Sequence, residues 1–359
     1  MTDHVGEGQR VGDPLADLSR IAFLLERAHA PTYRVRAFRN AAAVIGALTD
    51  DEVARRARDG TLEELPGVGP KTAEAISQSL AGAVPDYLSA LLAGAPAAVA
   101  TGGESLRAAL RGDLHTHSDW SDGGSPIAEM ARTAAEVIGH EYTALTDHSA
   151  RLTVANGLTV DRLLRQLDVV AELNAELAPF RLLTGIEVDI LEDGSLDADR
   201  ELLARLDVVV ASVHSKLRMG AESMTRRMIA AVADPSVDVL GHCTGRIVGT
   251  DPEGRRGGRG GRPESTFDAE LVFAACARFD VAVEINSRPE RRDPPSRLIE
   301  LALEFGCRFS IDSDAHAPGQ LDWQAYGCAR AAACGLTPDQ IVNTWPLADL
   351  LAWTGRASS

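Results

Sequence analysis

The chain has 359 residues, 45% hydrophobic and 25% charged, with 36 Lys+Arg against 52 Asp+Glu and a formal net charge of −16. That length leaves room for a barrel-sized domain and a smaller one. No apolar run approaches the ~20 residues of a membrane span, and the acidic balance disfavours a generic nucleic-acid coat. Residues 1–8 are polar and acidic, without the basic and apolar regions of a secretory signal. The five cysteines (243, 276, 307, 328, 334) form no Cys-x-x-Cys pair, so reduced thiols in a cytoplasm are expected.

Residues 1–14 show no periodicity and are expected to be disordered; residues 15–93 read as helical. Leu15, Leu18, Ile21, Ala22, Leu25 and Ala28 mark one face of a first helix. A second is expected over about 35–48 and a third over 49–59, with Thr49 or Asp50 as N-cap. Next comes Leu65-Pro-Gly-Val-Gly-Pro-Lys71. Gly67 and Gly69 let a turn expose successive amides where a following helix begins with its positive dipole end. A bare Gly-x-Gly is usually only a tight turn. Flanked by Leu-Pro and Lys-x-Ala-x-x-Ile, it reads as a helix-hairpin-helix, which grips DNA phosphates without reading bases. Lys71 adds a charge, and Arg34, Arg36 and Arg39 offer a basic face, though any one of them also reads as a solvated helix charge.

Residues 94–110 are rich in Ala, Gly and Pro and read as a linker. Strand-like runs then alternate with helical ones, near 112–117, 142–148, 181–189, 207–214, 237–242, 281–286 and 308–313. Seven βα units imply a parallel barrel with its site on one face. Six of the nine histidines (His115, His117, His148, His214, His242 and His316) fall at or just past strand ends, as do Glu187 and Asp314. His115 and His117 are two apart in a strand, so both imidazoles face one side and can reach one ion. His4, His29 and His140 lie outside this pattern and read as ordinary polar groups. Mixed His and carboxylate ligation suits Zn²⁺, Mn²⁺ or Fe²⁺, and the lack of cysteine argues against a structural zinc. The ligands exceed the needs of one ion; two or three are implied, with Glu187 as the shared bridge.

The motifs His-x-His-x-x-x-x-Asp (His115, His117, Asp122), Thr-Asp-His (146–148), Gly-x-Glu (185–187), Ser-Val-His (212–214), Gly-His-x-Thr-Gly-Arg (241–246) and Asp-x-His (314–316) together resemble the PHP (polymerase and histidinol phosphatase) family over roughly 112–350. The resemblance implies an α/β fold, a distorted (β/α)7 barrel with a trinuclear site, here preceded by a small all-α helix-hairpin-helix domain. The domains would then run 15–93, a linker 94–110, and 111–356. It also implies one ion on His115, His117, Glu187 and Asp314, a second on Glu187, His214 and His242, and a third on Asp122, His148 and His316. Tyr33-Arg-Val-Arg-Ala-Phe-Arg-Asn-Ala-Ala42, followed by the hairpin, is similar to the small N-terminal domain of family X DNA polymerases. Between Leu92 and Arg111 there is no segment for a palm or thumb, so no polymerase activity is expected. Ala75 stands where the family's lyase members carry a lysine, which leaves lyase chemistry to Lys71 or to nothing.

The expected chemistry is hydrolysis of a phosphoester by metal-activated water, with Glu187 shared between ions. Lys216, Arg218 and Arg246, just past strand ends, are candidates to bind phosphate oxygens, and Arg288 is a further one; each also reads as a surface charge. The loop 249–263 carries four arginines among glycines and resembles segments that hold single strands, or is an insertion without a role. The expected activity is at DNA 3′ ends, as a 3′-5′ exonuclease or 3′-phosphatase in repair. A small-molecule phosphatase of the histidinol-phosphate type and a DNA-binding scaffold without turnover are the alternatives.

Overall fold

The computed structural model describes residues 12–94, 99–248 and 261–355, and the chain divides into two compact units, 1–97 and 98–359. Of the stretch expected to be disordered, residues 1–11 lie outside the described residues. Asp13 and Pro14 are structured, because the Asp13 carboxylate caps the first helix by accepting from the Ala16 amide and Pro14 sits at its first turn.

The first unit is all helical: α1 (Pro14–Arg27), α2 (Thr32–Gly46), α3 (Asp50–Asp59), α4 (Pro70–Leu80) and α5 (Asp86–Gly94). Leu18, Ile21, Ala22 and Leu25 are buried on one face of α1, which packs on α2, α4 and α5. A buried bond from the Ser79 hydroxyl to Asp17 (2.7 Å) ties α1 to α4. Thr49 caps α3, its hydroxyl accepting from the Glu52 amide.

The second unit holds seven parallel strands in the order β1 to β7, hydrogen-bonded in sequence: Gly112–Thr116, Tyr142–Leu145, Arg181–Asp189, Val208–Ser212, Val239–Leu240, Ala282–Asn286 and Phe309–Asp312. Every residue of β4 is buried, as expected of a parallel strand covered on both faces. Helices α6 (Glu104–Ala109), α7 (Ile127–Arg132), α8 (Val160–Leu177), α9 (Arg200–Leu203), α10 (Ala221–Val232), α11 (Ala269–Phe279), α12 (Ser296–Glu304), α13 (Gln324–Ala333) and α14 (Leu347–Trp353) accompany them. Helix α6 corrects the expected linker: Leu106 is buried and the helix packs on α13, so residues from 104 onward belong to the barrel unit. An Ala-rich composition concealed one short helix with a single apolar anchor.

The barrel nearly closes between β1 and β7, where a backbone bond, from the His117 amide to the Ala315 carbonyl (2.8 Å), is joined by side-chain bonds. Asp312 on β7 accepts from the Leu114 amide (2.8 Å), while Asp113 on β1 accepts from the Ser313 amide (3.2 Å). This reciprocal exchange satisfies amides that a longer backbone ladder would otherwise pair. Asn343 fixes the Asp312 carboxylate with a further bond of 2.7 Å. Burial pushes the Asp312 carboxyl up to about 6, and raises that of Asp113 as well.

Candidate metal centre

The strand ends of the barrel bring the expected ligands together. Glu187, 1% exposed on β3, lies at the middle. One of its carboxylate oxygens is 2.8 Å from His242 Nε2 and 3.2 Å from His214 Nε2. The other is 2.8 Å from His148 Nδ1, 3.4 Å from His115 Nε2 and 3.6 Å from His117 Nε2. Asp314 lies 3.3 Å from His117 Nε2, and Asp122 lies 3.4 Å from His148 Nε2 and 3.3 Å from His316 Nε2. Gly241 eases this convergence: a Cβ there would come within 2.3 Å of the Ser212 hydroxyl and 2.8 Å of a Val210 methyl, so a larger residue would make both side chains shift where β5 delivers His242. Asp314 takes a left-handed backbone (φ 51°) as it leaves β7, a conformation that aspartate tolerates better than most residues.

Three sets of donor atoms lie close enough to share an ion: His117, Asp122, His148 and His316; His115, His117 and Asp314; and His148, Glu187 and His214. The electrostatics suit cations. Buried without a hydrogen-bond partner are His115 Nε2, both ring nitrogens of His117 and His214, His148 Nδ1, His242 Nδ1 and Glu187 Oε2. Orphans of this kind cost about 1–3 kcal/mol each, and here they cluster on the residues around Glu187. Burial drives the His117 imidazole down to about 3, helped by the neighbouring His316 and His148, so it stays a neutral donor. Burial opposes ionisation of Glu187 and Asp314, but surrounding histidines, and for Asp314 also Arg288, hold both well below the usual carboxylate range. Burial also lowers His148, yet Glu187 and Asp122 outweigh it and push the ring up to about 10. The carboxylates thus retain protons on nearby imidazoles where divalent ions would sit. The residues present fit a multinuclear divalent site.

The sets divide the ligands differently from the expected assignment. His117 and His148 each belong to two sets, because each turns its imidazole between neighbouring acids, whereas His242 meets Glu187 alone.

A supporting layer escaped the sequence reading. Glu284 on β6 binds His115 Nδ1 at 2.6 Å and also accepts from the His242 amide. Asp189 accepts from the His214 amide (3.1 Å) and lies 3.4 Å from its Nδ1. Asn286 donates to Asp314 (2.9 Å), and Asp147 gathers the Ser118 and Ser121 hydroxyls and Gln166 below the Asp122 loop. Such outer partners fix ring orientation and raise the basicity of the ligating nitrogen. A signal did exist: Glu284 and Asn286, two apart within a buried strand, carry polar groups that need partners inside the barrel.

Residues 113–287 match the PHP domain, and residues 12–83 match the helix-hairpin-helix domain. The chain carries a helix-hairpin-helix domain and a PHP domain. It is 37% identical over 247 residues to the DNA polymerase/3′-5′ exonuclease PolX of Bacillus subtilis strain 168, a match covering 69% of this chain and 41% of that protein. It is 28% identical over 243 residues to a probable phosphatase of Thermoanaerobacter sp. strain X514, covering 65% of this chain and 89% of the phosphatase. Among solved structures, histidinol phosphate phosphatase from Lactococcus lactis, complexed with zinc, L-histidinol and phosphate, aligns with a TM-score of 0.43 at 17% identity over 63% of this chain and 94% of the other.

The cations around the PHP centre differ from those expected. Arg246 is a correction: its guanidinium donates to the carbonyls of Arg291 (3.1 Å) and Arg292 and meets Glu264, fastening the loop after β6 instead of facing the ligands. Its position just past His242 gave no hint that a neighbouring loop would consume its donors. Lys216 and Arg218 are exposed, and among the described residues no ion pair joins Lys216 to the cluster. Arg288 and the unforeseen Arg291 do reach it. Arg291 Nε is 3.1 Å from Asp314, while Arg288 donates to the Asp314 carbonyl (3.0 Å) and meets His316 Nδ1 at 2.7 Å. Of the loop 249–263, residues 249–260 lie outside the described residues; Arg262 is held by the Gly245 carbonyl.

In the helix-hairpin-helix domain, Gly67 takes φ 96°, which a side chain would strain. The Gly69 amide is consumed by the Thr72 hydroxyl (2.9 Å), so the amides open to an anion are those of Lys71 and Thr72 in the first turn of α4. Lys71 is exposed and paired with Glu74 at 2.8 Å. Gly67 packs against Asn40 and Val44 of α2, and Arg36 lies one turn before Asn40 on that face, exposed. Arg34 is exposed and bonded to the Tyr87 hydroxyl. Arg39 is a correction to the basic face: it makes a bidentate pair with the buried Glu26 (2.9 and 2.8 Å) and holds α2 to α1.

Proposed function

We propose that this protein is a metal-dependent phosphoesterase acting on DNA 3′ ends, as a 3′-5′ exonuclease or 3′-phosphatase in repair, in a cytoplasm. The observation that carries the reading is the convergence of six histidines with Glu187, Asp314 and Asp122 in a chain that also bears a helix-hairpin-helix domain. Two or three divalent ions (Zn, Mn or Fe), when bound, would acidify water and stabilise charge on a phosphoryl group. Glu187, His115, His117, His148, His214, His242, Asp314, Asp122 and His316 would hold them. Glu284 and Asp189 keep His115 and His214 oriented. Arg288 and Arg291 hold positive charge against Asp314, where a phosphate oxygen would find it, and the exposed Lys216, past the end of β4, would add charge near it. The hairpin amides and Lys71 would bind DNA backbone.

A second reading, a small-molecule phosphatase, draws on the probable phosphatase, which this chain covers over 89% of its length. Purified protein supplied with Mn²⁺ or Zn²⁺ separates the two when assayed on 3′-hydroxyl, 3′-phosphate and abasic DNA beside histidinol phosphate. Turnover of DNA ends well above that of histidinol phosphate is expected; the reverse order refutes the DNA reading. Metal content near zero in active-pH buffer would instead favour a scaffold.

A further inference from the structure

The loop leaving β1 runs Ser118-Asp-Trp-Ser-Asp122 and is pinned from both sides. The Ser118 and Ser121 hydroxyls bind Asp147. The Trp120 carbonyl accepts from Asn156 Nδ2 (3.1 Å) and from the Arg162 guanidinium. The Trp120 side chain packs partly on the apolar core but keeps part of its surface exposed. With Asp119, Arg162 and Arg165 it lines a cavity of about 340 Å³.

The contents of this cavity are one aromatic surface, one exposed carboxylate and two guanidiniums. Arg162 spends its terminal nitrogens on the carbonyls of Trp120, Asn156 and Gly157, so it contributes charge alone. Arg165 is exposed and uses only Nε, on the Asp161 carbonyl, leaving its terminal nitrogens without a partner among the described residues. In a chain of net charge −16, a site with two cations to one anion is set apart. Trp120 stands two residues from Asp122, a separation of at most ~7 Å along the chain, which is about one nucleotide step from the ligand cluster.

We propose that this cavity is a subsite for single-stranded DNA, in which the base beside the scissile phosphate stacks on Trp120 and the adjoining phosphate pairs with Arg165. This rests on the DNA reading of the metal centre. Stacking on an aromatic side chain tolerates any base, as an end-processing enzyme requires, and Asp119 can accept from an exocyclic amino group. A buried anchor would need only an aliphatic side chain at position 120; the exposed aromatic surface beside an unspent guanidinium is what a nucleotide adds.

The test compares hydrolysis of a labelled oligothymidylate with that of a chromogenic phosphate ester in the full-length, metal-replete protein. Trp120→Leu keeps the apolar packing and is expected to lower kcat/KM for the oligonucleotide ~10-fold, the usual scale for one stacked base, through KM, with the small ester unchanged. Trp120→Phe is expected to retain most of the activity. Arg165→Gln is expected to lower oligonucleotide affinity several-fold and to flatten its salt dependence by ~0.7 in log–log slope, one phosphate's share. Equal losses on both substrates would show that Trp120 merely supports the Asp122 loop, and overturn the subsite. DNA hydrolysis indifferent to Trp120→Leu overturns the subsite alone. A wild-type protein that cleaves the small ester but no oligonucleotide overturns the DNA reading and the subsite with it.

Discussion

The helix-hairpin-helix unit and the barrel hold their candidate functional charges in opposite places, although the first unit also buries the structural Arg39–Glu26 pair. Lys71 is 73% exposed and its pairing with Glu74 is a surface ion pair, whereas His115 and Glu187 are 0% and 1% exposed and lie 3.4 Å apart. Exposed pairs contribute about 0–1 kcal/mol and are screened by salt. Buried charges cost several kcal/mol unless fully compensated. The exposed cations of the first unit can therefore act only as a sum of small terms, while the second unit's centre is cooperative: remove it and the remaining groups lose the reason for their arrangement.

The largest expected effect tests that cooperativity. Glu187→Gln keeps the shape but removes the charge that five histidines surround. Several kcal/mol of transition-state stabilisation go with it, so phosphoester hydrolysis is expected to fall ~10³-fold or more, and bound metal per chain by at least one ion. Turnover and elemental analysis check both. A fully active, metal-replete Glu187→Gln protein would break the assignment of the centre. Arg291→Gln should do less. Losing one charge-assisted contact costs about 1.5–3 kcal/mol, so a 10- to 100-fold rise in the inhibition constant of inorganic phosphate is expected. Arg246→Gln, which loosens the loop after β6 and the pairing with Glu264, should instead appear as lowered thermal stability with phosphate inhibition nearly unchanged.

The same contrast explains what the sequence made legible. A histidine or acid closing an apolar strand has few roles other than ligation, so His115, His117, His148, Glu187, His214, His242 and His316 stood out by residue type and position. An arginine on an amphipathic helix has many roles, and nothing local distinguished Arg39, which holds Glu26, from Arg36, which faces solvent. Arg246 and Arg291 show the same limit in the barrel. Which of two loop arginines points inward depends on which carbonyls happen to be free nearby, a tertiary fact. The strand order followed from the βα alternation. The seam did not, because Asp113 and Asp312 act on each other across some two hundred residues.

His140 separates a structural histidine from the candidate ligands. It is buried, bonded to Gln324 (2.9 Å) and Thr143 (3.1 Å), and burial, aided by Arg107, drives its imidazole down to about 3. An unfolded histidine titrates near 6.5, so the unfolded chain takes up a proton that the folded one refuses. The stability this group contributes is present above about pH 6.5 and is lost as pH falls from there towards 3. Between pH 7.5 and 4.5 the loss attributable to it is about 2–3 kcal/mol. Urea titrations at the two pH values should show His140→Gln losing less stability on acidification than the wild type by that margin. Equal slopes would mean that His140 is hydrated, or already charged, in the folded protein.

The smallest effect belongs to the hairpin, and its smallness is what would identify it. Arg36 and Lys71 are exposed and, on the proposed DNA reading, would meet phosphates only as single charges beside the Lys71 and Thr72 amides. Replacing both by Gln removes at most two phosphate contacts, which on duplex DNA should reduce the log–log salt slope of binding by ~0.9 each. Affinity at moderate salt should fall several-fold, equally for every sequence, since no base edge is contacted. Cleavage of a small chromogenic ester should not change, because the chemistry resides in the other unit. Anisotropy titrations over a range of salt give the slope directly. A double variant with an unaltered slope would mean that the hairpin turn is only a tight connection between α3 and α4, and that DNA, if bound, is held by the barrel rim.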